Sequence, residues 1–295
     1  MNLDTLIINI FCLIDDELKR LHRAAPWRRR GFAPRLSDAE VICIETVGEL
    51  LGLDTDTGVF RYFRRHFADW FPALRQVHRT TFARQSANLW RVKDRLWQSL
   101  LPPTHSRQLA RLDSFPAALC RFARAKRCRL FRGFAAYGKD HAAKATIYGF
   151  RLHARISETG FITHLAVAPA NESDTALLPQ LVENTSGYAV ADRNYWSPPL
   201  FAMFKEQGLE LIAPFRKKST DPAPARSHFI ARHRQLIETV FSQLTCRFSI
   251  KRIWARDEWH LANRVIRKVL AHTIGAWLNS GLGYAPLQLA NLLAD

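Results

Sequence analysis

Three carboxylates in this chain of 295 residues have the types and settings needed to hold metal ions. Asp113 follows the strand-like sequence RQLARL, Asp192 follows YAVA, and Glu238 lies within the helical sequence HRQLIETVFSQL. Taken singly, an Asp at a strand end is typical of a turn, and a helical Glu is typical of a solvated face. Carboxylate oxygens are, however, the ligands that hard cations such as Mg²⁺ prefer. If two strands and a late helix bring the three together, they predict a two-metal site that breaks phosphodiester bonds.

The charge of the chain favours a polyanionic partner. It carries 43 Lys and Arg against 26 Asp and Glu, a formal net charge of +17 with an isoelectric point near 10.3. A field of this sign attracts nucleic acid and speeds its capture. The alternative is a basic protein with no nucleic-acid role, but the excess is spread along the chain rather than confined to a tail. Basic clusters occupy 28–30, 61–65, 121–132 and 216–218.

Neither the cysteines nor the apolar segments point to secretion or to a membrane. The five cysteines are an odd number and no pair has the spacing of a zinc finger, which favours a reducing compartment. The apolar stretch near the start is only about a dozen residues long, too short to span a bilayer. Acids at 15–17 follow it and no basic segment precedes it, so a signal peptide is not indicated. The sequence therefore predicts a cytoplasmic protein.

The first hundred residues predict an all-helical unit. Ser37 and Glu40 form a capping-box pattern at the start of one helix, and a later apolar pattern predicts a long helix over 80–101. Two consecutive prolines then end the pattern. We expect residues 1–104 to form a helical N-terminal domain that binds DNA. The alternative is that these helices only support the rest of the chain or mediate dimerisation.

The remaining residues, 105–295, follow a different pattern. Alternating apolar residues predict a hairpin over 147–170, and strands and helices alternate after it. The predicted order is strand, insertion, two strands, helix, strand, helix, strand, helix, and then a final helix over 259–280. This is the order of a ribonuclease-H-like α/β domain, a mixed five-stranded sheet flanked by helices. It places the three carboxylates on the first strand, the fourth strand and the late helix, respectively.

Several segments match the sequence motifs of a known family in residue identity as well as in spacing. They are LDSFPAALC, YGKDHAAKATIYGFRLH, APANESD, ADRNY and RQLIETVFSQLTCRF. On these segments the chain resembles the DDE transposases of bacterial insertion sequences, in particular the insertion sequence 982 family, which is related to the insertion sequence 4 group. The resemblance implies that Asp113, Asp192 and Glu238 are the catalytic residues and the metal ligands.

The resemblance also implies an activity and partners. The enzyme would cleave double-stranded DNA at transposon ends and transfer the strands into target DNA, using two Mg²⁺ ions for which Mn²⁺ can substitute. Its partners would be the terminal inverted repeats, the target DNA and a second copy of the chain in a synaptic homodimer, associated with the bacterial nucleoid. Two alternatives stay open: a ribonuclease-H-like nuclease without strand transfer, and a DNA-binding protein whose catalytic centre has decayed.

Around the carboxylates the chain departs from the sequence motifs of these families. The second-Asp motif is commonly G-D-K-G-Y and is A-D-R-N-Y here. The pattern Y-x2-R-x3-E-x6-K around the Glu retains Arg234 and Glu238 but lacks the Tyr and the Lys. Arg234 is the expected helper of Glu238, orienting it or holding a phosphate, with a simple surface pair as the alternative. Arg247 or Lys251 would replace the missing lysine.

Other basic residues are candidate DNA contacts. Three of them match the family's sequence motif along the second strand, and one directly follows the second Asp. Three more lie in the basic helix RYFRRHF, where they could contact phosphates or a groove of DNA. The alternative for each is a solvated basic face. The candidate DNA-binding residues are Arg234, Lys144, Arg151, His153, Arg193, Arg247, Lys251, Arg61, Arg64 and Arg65.

Overall fold

The chain folds into two compact units in a computed structural model. The model describes residues 1–28, 31–101, 109–141, 143–215 and 225–293. Unit 1 comprises residues 1–101, 244–250 and 254–295, and unit 2 comprises residues 102–243 and 251–253. The predicted boundary at 104–105 and parts of the basic clusters at 28–30 and 216–218 lie outside the described residues.

Unit 1 begins with the helices that the sequence predicts. They are α1 (Leu3–Ala24), α2 (Asp38–Leu50), α3 (Asp56–His66), α4 (Arg79–Asn88) and α5 (Trp90–Ser99). At the start of α2, Ser37 Oγ accepts a hydrogen bond from the Glu40 N–H at 3.1 Å, and Glu40 Oε2 accepts one from the Ser37 N–H at 2.6 Å. The predicted capping box is therefore confirmed. The single helix expected over 80–101 is instead two, because the backbone of Leu89 (φ −87°, ψ 5°) leaves the helical region.

Unit 2 contains a mixed sheet with helices around it. Its elements are β1 (Leu109–Arg121), α6 (Phe122–Ala125), β2 (Ala136–Asp140), β3 (Ala145–Ile156), β4 (Ile162–Pro169), α7 (Leu178–Leu181), β5 (Gly187–Ala191), α8 (Pro198–Glu206), β6 (Leu209–Ile212) and α9 (Ala225–Cys246). The last residues of α9 belong to unit 1. The alternation of strands and helices after the hairpin is as the sequence predicts.

The sheet has β1 at its centre. β1 pairs antiparallel with β3 on one side and parallel with β5 on the other, and β6 extends the parallel side. β4 pairs with the second half of β3, from Phe150, as the predicted hairpin requires. This is the ribonuclease-H-like order, so the predicted fold class is confirmed. One short strand, β2, is additional: it lies in the segment that the sequence leaves as an insertion and pairs with the first half of β3.

The helix predicted between the third and fourth predicted strands, which lies between β4 and β5 here, is much shorter than expected. The sequence predicts a helix from Ser173 to Asn184, and the structure has only the four residues of α7. Pro179 is the second residue of that helix, and Asn184, three residues after its end, adopts a left-handed backbone conformation with φ 57° that a continued helix could not contain. The sequence N-E-S-D favours Asp174 as the cap of this helix, but its side chain is buried instead.

The last helix, α10 (Glu258–Gly281), packs against α2 and α5 in unit 1. The sequence assigns it to the domain over 105–295, and the structure differs at this point. The physical reason is a set of buried charges on α10 that find their partners on the N-terminal helices. Arg267 and Lys268 are each only 1% exposed.

These buried charges form a closed network. Arg267 Nε donates to Glu49 Oε1 at 2.6 Å and Arg267 Nη1 to Glu45 Oε1 at 3.3 Å, and Arg267 also pairs with Asp56. Lys268 Nζ donates to Glu49 Oε2 at 2.7 Å. Burial alone would lower the pKa of Arg267, but the three carboxylates raise it above its ordinary value. A fully desolvated cation with three anionic partners therefore joins α10 to α2.

Lys93 on α5 completes the network and is fully buried. It pairs with Glu45 of α2, and its Nζ donates to Asn263 Oδ1 of α10 at 2.6 Å. Asn263 Nδ2 in turn donates to Ser86 Oγ of α4 at 2.9 Å. Burial lowers the pKa of Lys93, and the Glu45 carboxylate opposes that effect. Four helices of unit 1 are thus held by polar contacts that water cannot replace.

None of the described helices is long and apolar enough to cross a membrane. All five cysteines fall within the described ranges, and each is a free thiol. Cys43 is buried in α2, where burial raises the pKa of its thiol. It therefore behaves as an unreactive core side chain.

The network predicts the stability of unit 1. Arg267→Met should lower the free energy of unfolding by about 3–5 kcal/mol, because Glu45, Glu49 and Asp56 lose a shared buried cation. Urea denaturation followed by circular dichroism measures the change. Arg75→Met, which removes an exposed ion pair, is the matched control and should stay close to wild type. Equal effects for the two variants would contradict the structural role of the network.

Candidate active site

The register of β1 and β5 places two of the three predicted carboxylates side by side. The strands are parallel, and their last paired residues are Leu112 and Ala191. The next residue on each strand is Asp113 and Asp192, respectively. Ala189, Val190 and Ala191 are buried, so β5 stays in the core up to the residue before Asp192. Parallel strands therefore deliver both side chains to the same edge of the sheet.

Helix α9 is held against β1 by residues on the same face as Asp113. Residues 111, 113 and 115 alternate onto one face of the strand. Arg111 Nε donates to the His233 carbonyl oxygen at 2.7 Å. The rings of Phe115 and Phe241 meet edge to face, with centroids 4.7 Å apart. These two contacts fix the part of α9 between them, which contains Arg234 and Glu238.

Arg234 bridges the two aspartates. Its Nη1 donates to Asp192 Oδ1 at 2.7 Å, and its Nη2 donates to Asp113 Oδ2 at 3.3 Å. The side chains of Asp113, Asp192 and Arg234 remain 15%, 29% and 27% exposed, so the group is reachable from solvent on one side. Burial alone would lower the pKa of Arg234, but the charges of Asp113, Asp192 and Glu238 raise it. The carboxylate pair therefore converges on a single cationic group.

Burial destabilises the charged form of the Asp113 carboxylate. Burial raises its pKa to about 6, although the Ser114 N–H, which donates to Asp113 Oδ1 at 2.8 Å, and the Arg234 charge both favour the anion. The charges of Asp192 and Asp174 raise the pKa further. A carboxylate that is desolvated and surrounded by other anions is stabilised by a bound cation. This donor set suits a hard metal ion as well as a guanidinium.

Glu238 lies one helical turn after Arg234 and is exposed. Ile237 and Val240 are buried beside it, which fixes the rotation of α9 about its axis. Across the residues that the structure describes, no three acidic, histidine or cysteine side chains converge closely enough to hold a metal ion. The structure thus brings Asp113, Asp192 and Arg234 together, and leaves Glu238 near them but outside ligating distance.

A buried polar network lies behind the aspartates. Asp174 Oδ1 accepts a hydrogen bond from Ser114 Oγ at 2.9 Å and lies 3.4 Å from His153 Nδ1. His153 Nδ1 is also 3.2 Å from the Tyr195 hydroxyl oxygen. Arg151 Nη1 donates to Ser114 Oγ at 3.2 Å. Ser114, next to Asp113, and Tyr195, of the A-D-R-N-Y motif, are thus each hydrogen-bonded within this group, and the 3.4 Å approach of His153 to Asp174 brings the two parts together.

His153 cannot contact DNA in this arrangement, contrary to the expectation from sequence. It is fully buried on β3, because its position on the strand faces the core rather than the solvent. Burial lowers its pKa to about 4, so the imidazole is neutral at pH 7 and its 3.4 Å approach to Asp174 is not an ion pair. For Asp174 the sequence allows either an acid that supports the site or a helix cap, and the cap is favoured because N-E-S-D has the form of an ordinary helix start; the structure has the supporting acid.

The other candidate DNA contacts of unit 2 differ in accessibility. Lys144 is exposed in the β2–β3 turn with a left-handed backbone (φ 49°), and Arg193 is exposed directly after Asp192. Arg151 is only partly exposed and is engaged by Ser114. Lys251 Nζ lies 5.9 Å from the centroid of the Phe115 ring, on the face of β1 that carries Asp113.

The remaining candidates belong to unit 1. Arg247 Nη2 donates to the Leu50 carbonyl oxygen at 3.2 Å, and burial lowers its pKa. Of the two candidates for the missing lysine, only Lys251 lies in the unit that holds the carboxylates. Arg61, Arg64 and Arg65 are exposed on α3, where Arg64 Nη2 donates to the Arg75 carbonyl oxygen at 3.4 Å.

Comparisons with known proteins agree with the geometry of unit 2. Residues 104–257 match the model of a family described as "Transposase DDE domain". A comparison with curated proteins found no match. Among solved structures, a piggyBac transposase synaptic complex with hairpin DNA aligns with 98% of this chain and 77% of its own, at 11% identity and a TM-score of 0.48. A TM-score at this level does not establish a shared fold, so the family assignment depends on the sequence match.

The buried network predicts a stability effect in unit 2. Asp174→Ala should lower the free energy of unfolding by about 1–3 kcal/mol, because Ser114 Oγ loses a buried acceptor. The measurement is urea denaturation followed by tryptophan fluorescence. Glu172→Ala removes an exposed acid two residues away and serves as the control. If the Asp174 variant is as stable as the control, the network does not support the site.

Proposed function

The chain belongs to the family of DDE transposases, and we propose that it cleaves DNA at the ends of a mobile element and joins the freed ends to target DNA, with Asp113, Asp192 and Glu238 as its catalytic carboxylates. The observation that carries this proposal is the placement of Asp113 and Asp192 at adjacent ends of β1 and β5, converging on one cation. Both residues lie inside the segment that matches the family.

A divalent metal is the cofactor used by this family, and we propose Mg²⁺ for this chain, with Mn²⁺ as a substitute. Asp113, Asp192 and Glu238 would hold it, since all three are oxygen ligands and the first two already share a cation. When bound, the metal pair would activate the attacking oxygen and stabilise the leaving oxygen. The raised pKa of Asp113 supports the assignment, because a desolvated carboxylate gains most from such a charge.

Arg234 has a separate role in this proposal. Its guanidinium neutralises both aspartates while no metal is bound. A bound metal would neutralise the two aspartates instead. Arg234 would then be available to bind the scissile phosphate, for which its planar fork of donors is suited. Lys251, held over Phe115 on the same face of β1, is our candidate for the lysine absent from its usual place after Glu238.

The proposed partner is double-stranded DNA, as the terminal repeats of the element and as the target. The net charge of +17 supports this, and the exposed Arg193 and Lys144 in unit 2 are candidate phosphate contacts. For unit 1 we propose recognition of the element end through Arg61 and Arg65 of α3. We also propose a homodimer that holds two ends together, and membership of the insertion sequence 982 group on the strength of the sequence motifs.

Substitution of the carboxylates tests the proposal. Asp113→Asn, Asp192→Asn and Glu238→Gln should each reduce cleavage by at least about 100-fold, the scale of loss for groups that act directly in the chemistry. The assay is nicking of a plasmid that carries the DNA flanking the gene, in the presence of Mg²⁺. Glu172→Gln is the matched control, because it neutralises an exposed acid outside the site.

Two outcomes would contradict the proposal. Wild-type cleavage by all three variants would remove the carboxylates from the mechanism. Cleavage without joining, when a pre-cut end with a free 3′-hydroxyl is supplied with target DNA, would leave a nuclease rather than a transposase. A joined product formed by the wild type and lost in the Asp113 variant is the result we expect.

A further inference from the structure

The segment that connects β1 to β3 carries a surface of exposed cations and aromatic rings, here called the basic arm (residues 121–139). All six cations within residues 121–132 are exposed: Arg121, Arg124, Lys126, Arg127, Arg129 and Arg132. No acidic residue lies between Asp113 and Asp140. None of the six forms a salt bridge with an acid in the described ranges of the chain. The arm is therefore an unneutralised positive surface.

The arm is a folded part of unit 2. Ala125 and Phe131 are each only 6% exposed, and the Phe131 ring meets the Phe150 ring of β3 edge to face at 5.2 Å. The Tyr148 hydroxyl donates to the Phe131 carbonyl oxygen at 3.4 Å. Phe131 adopts a left-handed backbone with φ 53°, a conformation that is unfavourable for a non-glycine residue. Burial of its ring offsets that cost and fixes the shape of the arm.

Three aromatic rings of the arm are left outside this anchor. Phe122, Phe134 and Tyr137 are 57%, 53% and 45% exposed. The rings of Phe122 and Tyr137 contact each other with centroids 5.8 Å apart and planes at 62°. Exposed rings beside unpaired arginines contribute little to the core of the unit. They do offer flat apolar surfaces next to positive charge.

We propose that the basic arm binds an unpaired stretch of DNA strand, with bases stacked on Phe122 and Tyr137 and phosphates paired with Arg124 and Arg127. Aromatic side chains bind single strands by stacking because each base has a free face, whereas the bases of a duplex are already stacked. The arginines supply the sequence-independent attraction to the backbone. This combination of rings and arginines favours an unpaired strand over a duplex. It also favours an unpaired strand over an acidic protein, because binding an acidic protein requires no exposed rings on this surface.

The position of the arm relates it to the candidate active site. Asp113 and Arg121 lie on the same strand, eight residues apart, which corresponds to roughly 26 Å. DNA advances about 3.4 Å per nucleotide of a stacked strand, so the arm lies some seven or eight nucleotides from the carboxylates. The inference uses the proposed function only to identify the polymer as DNA; the binding surface itself is independent of the catalytic residues.

Fluorescence anisotropy tests the proposal. The probes are a labelled 20-nucleotide oligo-dT and a labelled 20-base-pair duplex, and the protein is the full chain without metal. Replacing Phe122 and Tyr137 together by alanine should weaken oligo-dT binding by at least about 10-fold, since stacking contributes about 1–3 kcal/mol per base. Duplex affinity should change less than about 2-fold. Tyr188→Ala, another exposed ring of unit 2, is the matched control and should bind both probes as the wild type does.

Two further variants separate folding and charge from stacking. Phe122→Ala alone removes a ring whose aromatic partner is Tyr137 only, and it should still weaken oligo-dT binding if circular dichroism shows a native fold. Arg124→Ala combined with Arg127→Ala should weaken both probes and reduce the salt dependence of oligo-dT binding, by about 0.7 in log–log slope per lost contact.

The outcomes distinguish this proposal from the proposed function. Unchanged oligo-dT affinity in the folded ring variants would overturn it, as would an equal loss of affinity for both probes. If the carboxylate variants keep cleavage while the ring variants lose oligo-dT binding, the catalytic proposal fails and the arm stands. If the opposite pattern is found, the arm fails and the catalytic proposal stands.

Discussion

The convergence of Asp113 and Asp192 on one cation is the interaction on which the rest of unit 2 depends. Two carboxylates held together at the edge of a sheet repel each other, and the burial of Asp113 increases that cost. Arg234 offsets it through two charge-assisted hydrogen bonds. Two acids held side by side lower the stability of the fold. Their arrangement therefore indicates a site that binds a positive charge.

Several features of the fold position this pair. The parallel register of β1 and β5 brings the strand ends level, and α9 is fixed to β1 by Arg111 and Phe115 on either side of Asp113. On the opposite side, the Asp174 network holds Ser114 and, through His153, Tyr195. Each support acts on a residue adjacent to a carboxylate or on the element that carries Arg234. The site is therefore set by rigid elements rather than by loops.

The sequence predicted the order of strands and the positions of Asp113 and Asp192 well, because alternating apolar residues and buried strand ends are local features. It also identified Arg234, whose spacing to Glu238 is one helical turn. It could not predict that Arg234 would bridge the aspartates, since that contact joins residues far apart in the chain. His153 was assigned to DNA from its match to the family motif, and the sequence alone could not show that its strand position is buried.

The assignment of α10 to unit 1 shows a similar limit. Arg267 and Lys268 resemble surface residues in the sequence, because charged side chains are buried only when partners are supplied by other elements. Glu45 and Glu49 of α2 supply them here. The exposed cations of the basic arm are the opposite case, since no acid in the described ranges pairs with them. The pattern of charge alone could not distinguish these two situations.

Calorimetry with Mn²⁺ tests the central claim most directly, because it measures the cation site without depending on activity. Wild-type protein should bind Mn²⁺, and Asp113→Asn should abolish this binding. Arg234→Ala should strengthen it, since the competing guanidinium is gone and the two aspartates are left without a cation. Mn²⁺ binding that is unaffected by Asp113→Asn, or that is lost in Arg234→Ala protein with a native fold, would contradict the claim that these carboxylates form a metal site.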